Sequence, residues 1–377
     1  MAAASIIGAM LTALLTGGGC GRGLFPEVTP TSSVTATPVT NAFLYATNFK
    51  DGTVSAFVRN TATGALSFIA KQSAGATNGP AGVAVPTQND LVFVANASDG
   101  NLYEYLIATN GNIGNIGKVS SGTTPQLVAI DDTGNFVYVT NAGSQTVSEY
   151  QINSDDTLTS IDKLTGFTGQ PFGIVTHPSA RLAYVGDNTA GLIYSLAIGS
   201  DGTLTEINQI DSNGTSPGRP GELAIDPAGQ FLFSDDTVAG TVSVFTIQGD
   251  GSLAFSDTFG SGGQTPVGIG AVNGNANTTN EYVFTANMTG DFVLPFLRSG
   301  ATLTQQTGIT DNSGPTGLAI DPQGLFAYTG NSGNGTIGLI GIASSRCSGG
   351  GNCLLNAFAS ESPANTNAGT EYVATTH

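Results

Sequence analysis

The sequence predicts an all-β fold, a seven-bladed β-propeller of four-stranded blades closed by a C-terminal strand that joins blade 1. Three observations carry that expectation. An apolar, β-rich run ending in Asn or Asp recurs seven times: LYATN at 44–48, VFVAN at 92–96, VYVTN at 137–141, AYVGD at 183–187, LFSDD at 232–236, VFTAN at 283–287 and AYTGN at 327–331. The intervals between the terminal residues (Asn48, Asn96, Asn141, Asp187, Asp236, Asn287, Asn331) are 48, 45, 46, 49, 51 and 44. A period in the forties carried on strands marks a propeller with one blade per repeat. The composition agrees: 53 Gly among 377 residues suit short strands joined by tight turns, and the absence of Trp argues against the WD type of blade. Finally, the first repeat lacks an inner strand, and the chain ends on a segment with the alternation of one.

The segments follow in order. Ser5 to Thr16 is an apolar stretch too short to span a bilayer, followed by Gly17-Gly18-Gly19-Cys20. Residues 1–20 resemble a lipoprotein-type signal peptide that would leave Cys20 as the lipidated N-terminus. No basic residue precedes Arg22, and an ordinary secretory signal is the alternative reading. Residues 21–40, rich in Thr, Pro and Ser, read as a tether that spans roughly 60 Å when extended. The propeller occupies 41–377.

Within it each repeat reads as four strands. In blade 5, strand a is PGELAID at 220–226, strand b QFLFSDD at 230–236, strand c TVSVFTI at 241–247, and strand d lies near 252–258. The same sentence restarts at Pro80, Pro125, Pro171, Pro266 and Pro315. Asn110-Gly111, Asp201-Gly202 and Asp250-Gly251 supply the c–d turns. Blade 1 opens directly at strand b, so GTEYVATTH at 369–377 is expected to supply its missing inner strand and to remove an exposed sheet edge. Cys347 and Cys353 flank a short SGGGN loop and are expected to form a disulfide, a bond that persists in oxidising compartments. Such a short loop stabilises by roughly 2 kcal/mol on a chain-entropy model. The rival reading, a metal pair, lacks the further ligands zinc needs.

The formal charge is −17, from 27 acidic and 10 basic residues. With no basic run to displace counterions, nucleic acid is not an expected partner. An acidic surface also repels an anionic membrane, so membrane association is expected only through the N-terminal anchor. The expected partners are a small molecule (a lactone or a sugar) or a surface protein. No cofactor and no metal are expected, and the chain is expected to be a monomer.

These repeats resemble the lactonase family of seven-bladed propellers, which includes 6-phosphogluconolactonase and carboxymuconate-cyclising enzymes, and their relatives with YVTN repeats. VYVTN at 137–141 is that signature, and PTGLAIDPQG at 315–324 is a complete copy of the strand a sentence. The resemblance covers about 42–377 and implies the fold and, for the enzymes, lactone hydrolysis. The family's enzymes carry a Gly-Pro-Arg-His run entering one inner strand. Here Gly221 stands in the arginine column and Glu222 in the histidine column. A Pro-His-x-His run matches Pro171-Phe172-Gly173-Ile174, without either histidine, and a Glu that follows strand b is Thr237. These departures, and the shortage of Lys and Arg for a phosphorylated sugar, argue against the family's usual hydrolysis.

The candidate residues each have two readings. Asn or Asp at the end of every strand b looks like a ligand ring, but a residue present in all seven blades is better suited to closing the b–c turn. Glu222 occupies a position that is Gly in four of the other blades (Gly82, Gly173, Gly268, Gly317) and Leu127 in the fifth, which suggests crowding near the axis. It is read as a general base or ligand-orienting acid, with Arg219 beside it, or as a structural Glu–Arg pair. Asp187, Asp235 and Asp236 are candidate ligand-binding acids on the same face, and adjacent acids on a strand point to opposite sides. His177 replaces the Asp of the a–b turn on the opposite face and reads as a turn residue. The Ser154-Asp155-Asp156 and Ser200-Asp201-Gly202 turns lack a full calcium-loop pattern. Together these readings describe an exported, lipid-anchored binding or interaction module. The alternative is a lactone hydrolase in which Glu222 activates water and Arg219 polarises the carbonyl.

Overall fold

A computed structural model of the chain describes residues 42–376 except 76–77, 89, 215–217, 264, 275–279, 312–313, 343–354 and 357–369. Cys20, the tether, Cys347, Cys353 and His377 therefore lie outside the described residues.

Seven antiparallel sheets form the blades. Six have four strands, and blade 6 carries a short fifth. No helix occurs among the described residues. Strands b are buried throughout, as in Phe136–Asn141 and Leu91–Asn96, or at every residue but the first, as in Phe231–Asp236. Each blade presses one face on each neighbour, so these strands read as continuous apolar runs and not as alternating ones. The outer strands are largely exposed, as in Leu158–Leu164, where only Leu158, Ile161 and Leu164 are partly sheltered. Seven apolar clusters result, one per seam. That between blades 5 and 6 holds Ala224, Phe233, Val242, Ile269, Val283 and Phe296.

Tyrosines in the repeat signature also bridge the seams. The hydroxyls of Tyr45, Tyr138, Tyr184 and Tyr328 donate to the carbonyls of Gly111, Gly202, Gly251 and Gly64, each in the c–d turn of the next blade, at 2.9 to 3.0 Å. Those turns are not two-residue hairpins. Gly199 N–H donates to Thr203 O at 2.8 Å and Gly202 N–H to Gly199 O at 3.1 Å, which makes a three-residue loop whose last position is left-handed. Gly202 fills it with φ +86°. Buried ion pairs reinforce the seam of blades 7 and 1 and lock one further seam. Arg59 of blade 1 meets Asp321 of blade 7 at 2.8 Å, and Arg298 of blade 6 meets Asp226 of blade 5 at 3.2 Å.

The ring closes as the sequence implies. Thr370–Thr375 lies antiparallel to Ala42–Asn48, with Leu44 opposite Thr375 and Ala46 opposite Val373. Phe43 N–H donates to Thr376 Oγ1 at 2.8 Å, and Thr376 N–H returns a bond to Phe43 O at 2.9 Å. Blade 1 is thus built from both ends of the propeller.

Candidate active site at the channel mouth

The inner strands run alongside the central channel. Each opens on its Pro, and in the complete repeats its register shifts just afterwards. In blade 5, Pro220 pairs with Asp236 and Leu223 with Ser234. Gly221 and Glu222 together therefore face Asp235 alone. Such a bulge unpairs two residues and re-aims their side chains. The third residue after each Pro (Val83, Val128, Ile174, Leu223, Ile269 and Leu318) packs into an inter-blade seam and, with Val373, borders a narrow throat of about 150 Å³. The second residue packs against the next blade. A Cβ on Gly82 would lie 2.6 Å from Gln126 O, and a Cβ on Gly173 or Gly268 would collide with Gly221 O or Thr316 O. The crowding inferred from the glycine column is real.

Above the throat lies a mouth of about 440 Å³ on the face of the b–c loops. Two columns of the repeat line it. The residue after the opening Pro contributes Gln126, Phe172, Gly221, Val267 and Thr316. The residue after the strand b Asn or Asp contributes Ala142, Asn188 and Thr237. Gln170, Glu222 and Tyr372 complete the wall, the last from the closing strand. None of these lining residues is Lys, Arg or His. Glu222 also borders the throat, so it stands at the boundary between the mouth and the channel below it.

Glu222 is 8% exposed, and its Oε2 accepts the Ile269 N–H of blade 6 at 3.3 Å. Burial pushes its carboxyl well above the usual range, and the Asp235 charge pushes it further. Asp235 is fully buried, and neither of its oxygens has a well-formed hydrogen bond. Its carboxyl is likewise raised by burial, an effect that the nearby amides of Glu222 and Gly221 offset only in part. Arg219, by contrast, is exposed and makes no ion pair among the described residues. Its backbone N–H donates to Asp236 at 2.8 Å. The expected Glu222–Arg219 pair is replaced by a Glu222–Asp235 pair, because the bulge turns Glu222 toward blade 6 and away from the connection that carries Arg219.

The other candidate acids are occupied. Asp236 accepts from Arg219 N, Val238 N, Ala239 N and Asn213 Nδ2 at 2.8 to 3.1 Å. Asp187 accepts from Gly169 N at 2.8 Å and Ala190 N at 3.1 Å. Asn48 and Asn141 donate to Ser55 and Ser148 across their own b–c turns. These strand b termini thus close turns. His177 does the equivalent on the opposite face. Its Nδ1 accepts Ser179 N–H, which leaves Nε2 to donate to Gly229 O at 3.0 Å. Among the described residues no three His, Cys, Asp or Glu side chains gather as a metal site.

Comparisons with known proteins agree with this architecture. No curated protein sequence matches the chain. Among solved structures, the periplasmic gluconolactonase of Pseudomonas aeruginosa is 17% identical with a TM-score of 0.69, covering 89% of this chain and 99% of that one. A 6-phosphogluconolactonase-like protein of Bacteroides uniformis is 17% identical with a TM-score of 0.73, again covering 89% and 99%. A Lactobacillus plantarum protein is 16% identical with a TM-score of 0.72 and the same coverage. At such identities the likeness is one of fold. The family described as Lactonase, 7-bladed beta-propeller matches residues 27–302, and the chain belongs to it.

Proposed function

We propose that this protein is an exported, lipid-anchored binding module whose channel mouth takes an uncharged, hydroxyl-rich small molecule of the lactone or sugar class. The observation that carries the reading is the identity of the wall. Phe172, Gly221, Glu222 and Thr237 line the mouth and Ile174 the throat, at positions where the sequence resemblance places the hydrolases' histidines, arginine and glutamate. The charged machinery is replaced at each place by an apolar or neutral group, or by a single acid. What remains suits neutral polyols. Gln126, Gln170 and Asn188 offer amides, Thr237 and Thr316 hydroxyls, and Phe172 and Tyr372 aromatic faces. A phosphorylated sugar finds no cation in this wall.

A catalytic reading retains one support, the perturbed carboxyl of Glu222 in a cleft. A raised carboxyl is a readier proton donor when protonated and a stronger base when ionised, so the shift serves either catalytic role.

The test is titration calorimetry of the purified chain against neutral aldonolactones and their sugars, alongside proton-release assays on the same panel. Saturable binding without turnover supports the module. Turnover lost in Glu222→Ala would make the protein a hydrolase, and no binding anywhere on the panel would redirect the search to a surface protein. Anchoring is checked separately, by fatty-acid labelling in a bacterial host that Cys20→Ala should abolish.

A further inference from the structure

The blade 5–blade 6 seam holds a polar arrangement that the fold does not need. Six of the seven strands b place no acid just before the terminal residue: Thr47, Ala95, Thr140, Gly186, Ala286 and Gly330 stand where blade 5 has Asp235. A buried carboxylate whose oxygens meet only the poorly formed contacts of the Glu222 and Gly221 amides is costly, and a residue of this kind ordinarily neutralises itself or finds a cation. Among the described residues no cation pairs with it. Arg219 is exposed, and Arg298 lies at the far end of the seam, bound to Asp226 and Glu281. The strand a of blade 6, Pro266–Val272, has no titratable side chain, and neither has Pro171–Thr176 of blade 4. Within blade 5, Asp236 adds a second negative charge close to Asp235. On strand b of blade 6, Glu281 sits at the opposite end, half-exposed and paired with Arg298.

Asp235 fills the space above Gly221, since a Cβ on that glycine would collide with its Oδ1. It also faces Glu222 across the bulge. One oxygen of Glu222 is engaged by the Ile269 amide, and the residue lines the mouth. We infer that Glu222 and Asp235 hold a proton between them at neutral pH, and that Glu222 presents it to the channel mouth as a hydrogen-bond donor for an uncharged acceptor oxygen, a lactone carbonyl or sugar oxygen. The mouth is otherwise furnished with amides and hydroxyls and lacks any charged donor, so this carboxylic acid is its strongest. Raising the pH ionises the pair, turns the donor into an acceptor and expels the ligand. The pair titrates as a unit, with apparent values that belong to neither residue alone. The inference deepens the proposed function and rests on it for the ligand class, but not for the proton.

The experiment therefore reads the two separately. Infrared difference spectra of the purified chain, titrated from about pH 5 to about pH 9, follow the protonated-carboxyl stretch. The expected result is a band that persists through neutrality, vanishes in Glu222→Gln, and titrates at lower pH in Asp235→Asn, where the neighbouring charge is gone. In parallel, binding of galactono-γ-lactone is measured over the same range. It is expected to weaken about tenfold per pH unit above the apparent value of the pair. Glu222→Gln, which keeps a donor but has no proton to lose, is expected to make binding independent of pH. A neutral-pH spectrum without a band sensitive to Glu222→Gln overturns the proton assignment whatever the lactone does. A band that behaves as expected, with lactone binding flat across pH in the unaltered chain, overturns the donor role. With that band present and no lactone bound at all, the ligand class fails and the shared proton stands.

Discussion

Glu222 and Asp235 stand opposite one another across a β-bulge, one on strand a and one on strand b of the same blade, with no positive charge between them. Two buried acids in one seam make the protein's stability depend on pH in a direction contrary to that of a protein held by ion pairs.

Stability should rise on mild acidification. Glu149 is buried in the seam of blades 3 and 4, accepts Leu204 N–H at 3.3 Å, and is pushed up to about 7 by burial. Glu104 holds the same place in strand c of blade 2 and is also raised by burial. For an acid whose folded value is raised, the protonated form is favoured by folding. The associated stability is fully present below the unfolded value and is lost as pH rises through the folded one. For Glu149 that window runs from about 4.5 to about 7. Melting temperature should therefore fall between about pH 5 and about pH 8, and Glu149→Gln should raise it at the alkaline end. The upper bound on the gain is on the order of 3 kcal/mol. A melting temperature that climbs over the same range contradicts this reading.

The seam between first and last blades should depend on Arg59. Its guanidinium and the Asp321 carboxylate are both fully buried, and Asp321 Oδ1 also accepts Leu325 N–H and Phe326 N–H. Arg59→Ala leaves that carboxylate uncompensated and should cost about 3–5 kcal/mol in chemical denaturation. Lys71→Ala removes a partly exposed partner of Asp51 and should cost at most about 1 kcal/mol. Equal effects would mean that the buried pair carries no special weight.

Deleting residues 369–377 should remove more than a tail. Ala42–Asn48 would lose its inner partner strand and the mouth would lose Tyr372. Size-exclusion chromatography and circular dichroism should show aggregation or loss of structure. A monomeric truncation with an unchanged melt would show that the closure is dispensable.

The glycine column should resist the smallest substitution. Gly268→Ala drives a Cβ into Thr316 O, a backbone atom that cannot rotate away, whereas Gly114→Ala on an outer strand meets nothing within 4 Å. The first should lower the melting temperature by several degrees, corresponding to about 1–3 kcal/mol of overpacking, and the second should not.

Much of the site was legible once the repeat was read in columns. Gln126, Phe172, Gly221, Val267 and Thr316 all follow the opening Pro. Asn188 and Thr237 follow the strand b terminus. The residues that recur in every blade, such as Asn48 and Asn141, close turns. The mouth is lined by columns that vary from blade to blade, because turn geometry needs the same side chain each time and a ligand does not. Asp235 was singled out for its face but not for its partner, because the partner is set by the bulge. Arg219 was paired with Glu222 on sequence proximity, which says little when a register shift intervenes.

The chain's own order of residues determined the number of blades, the strand boundaries to within a residue or two, the turn chemistry and the closure by the C-terminal strand. Each of these depends on spacing and on local conformational preference. Only the tertiary structure decided which side chains meet at the axis. Seven strands from seven repeats converge there, and a single-residue shift at each opening redirects what they present. The proximity of Glu222 to Asp235, and the distance of both from any cation, follow from that convergence and could not be read from spacing along the chain.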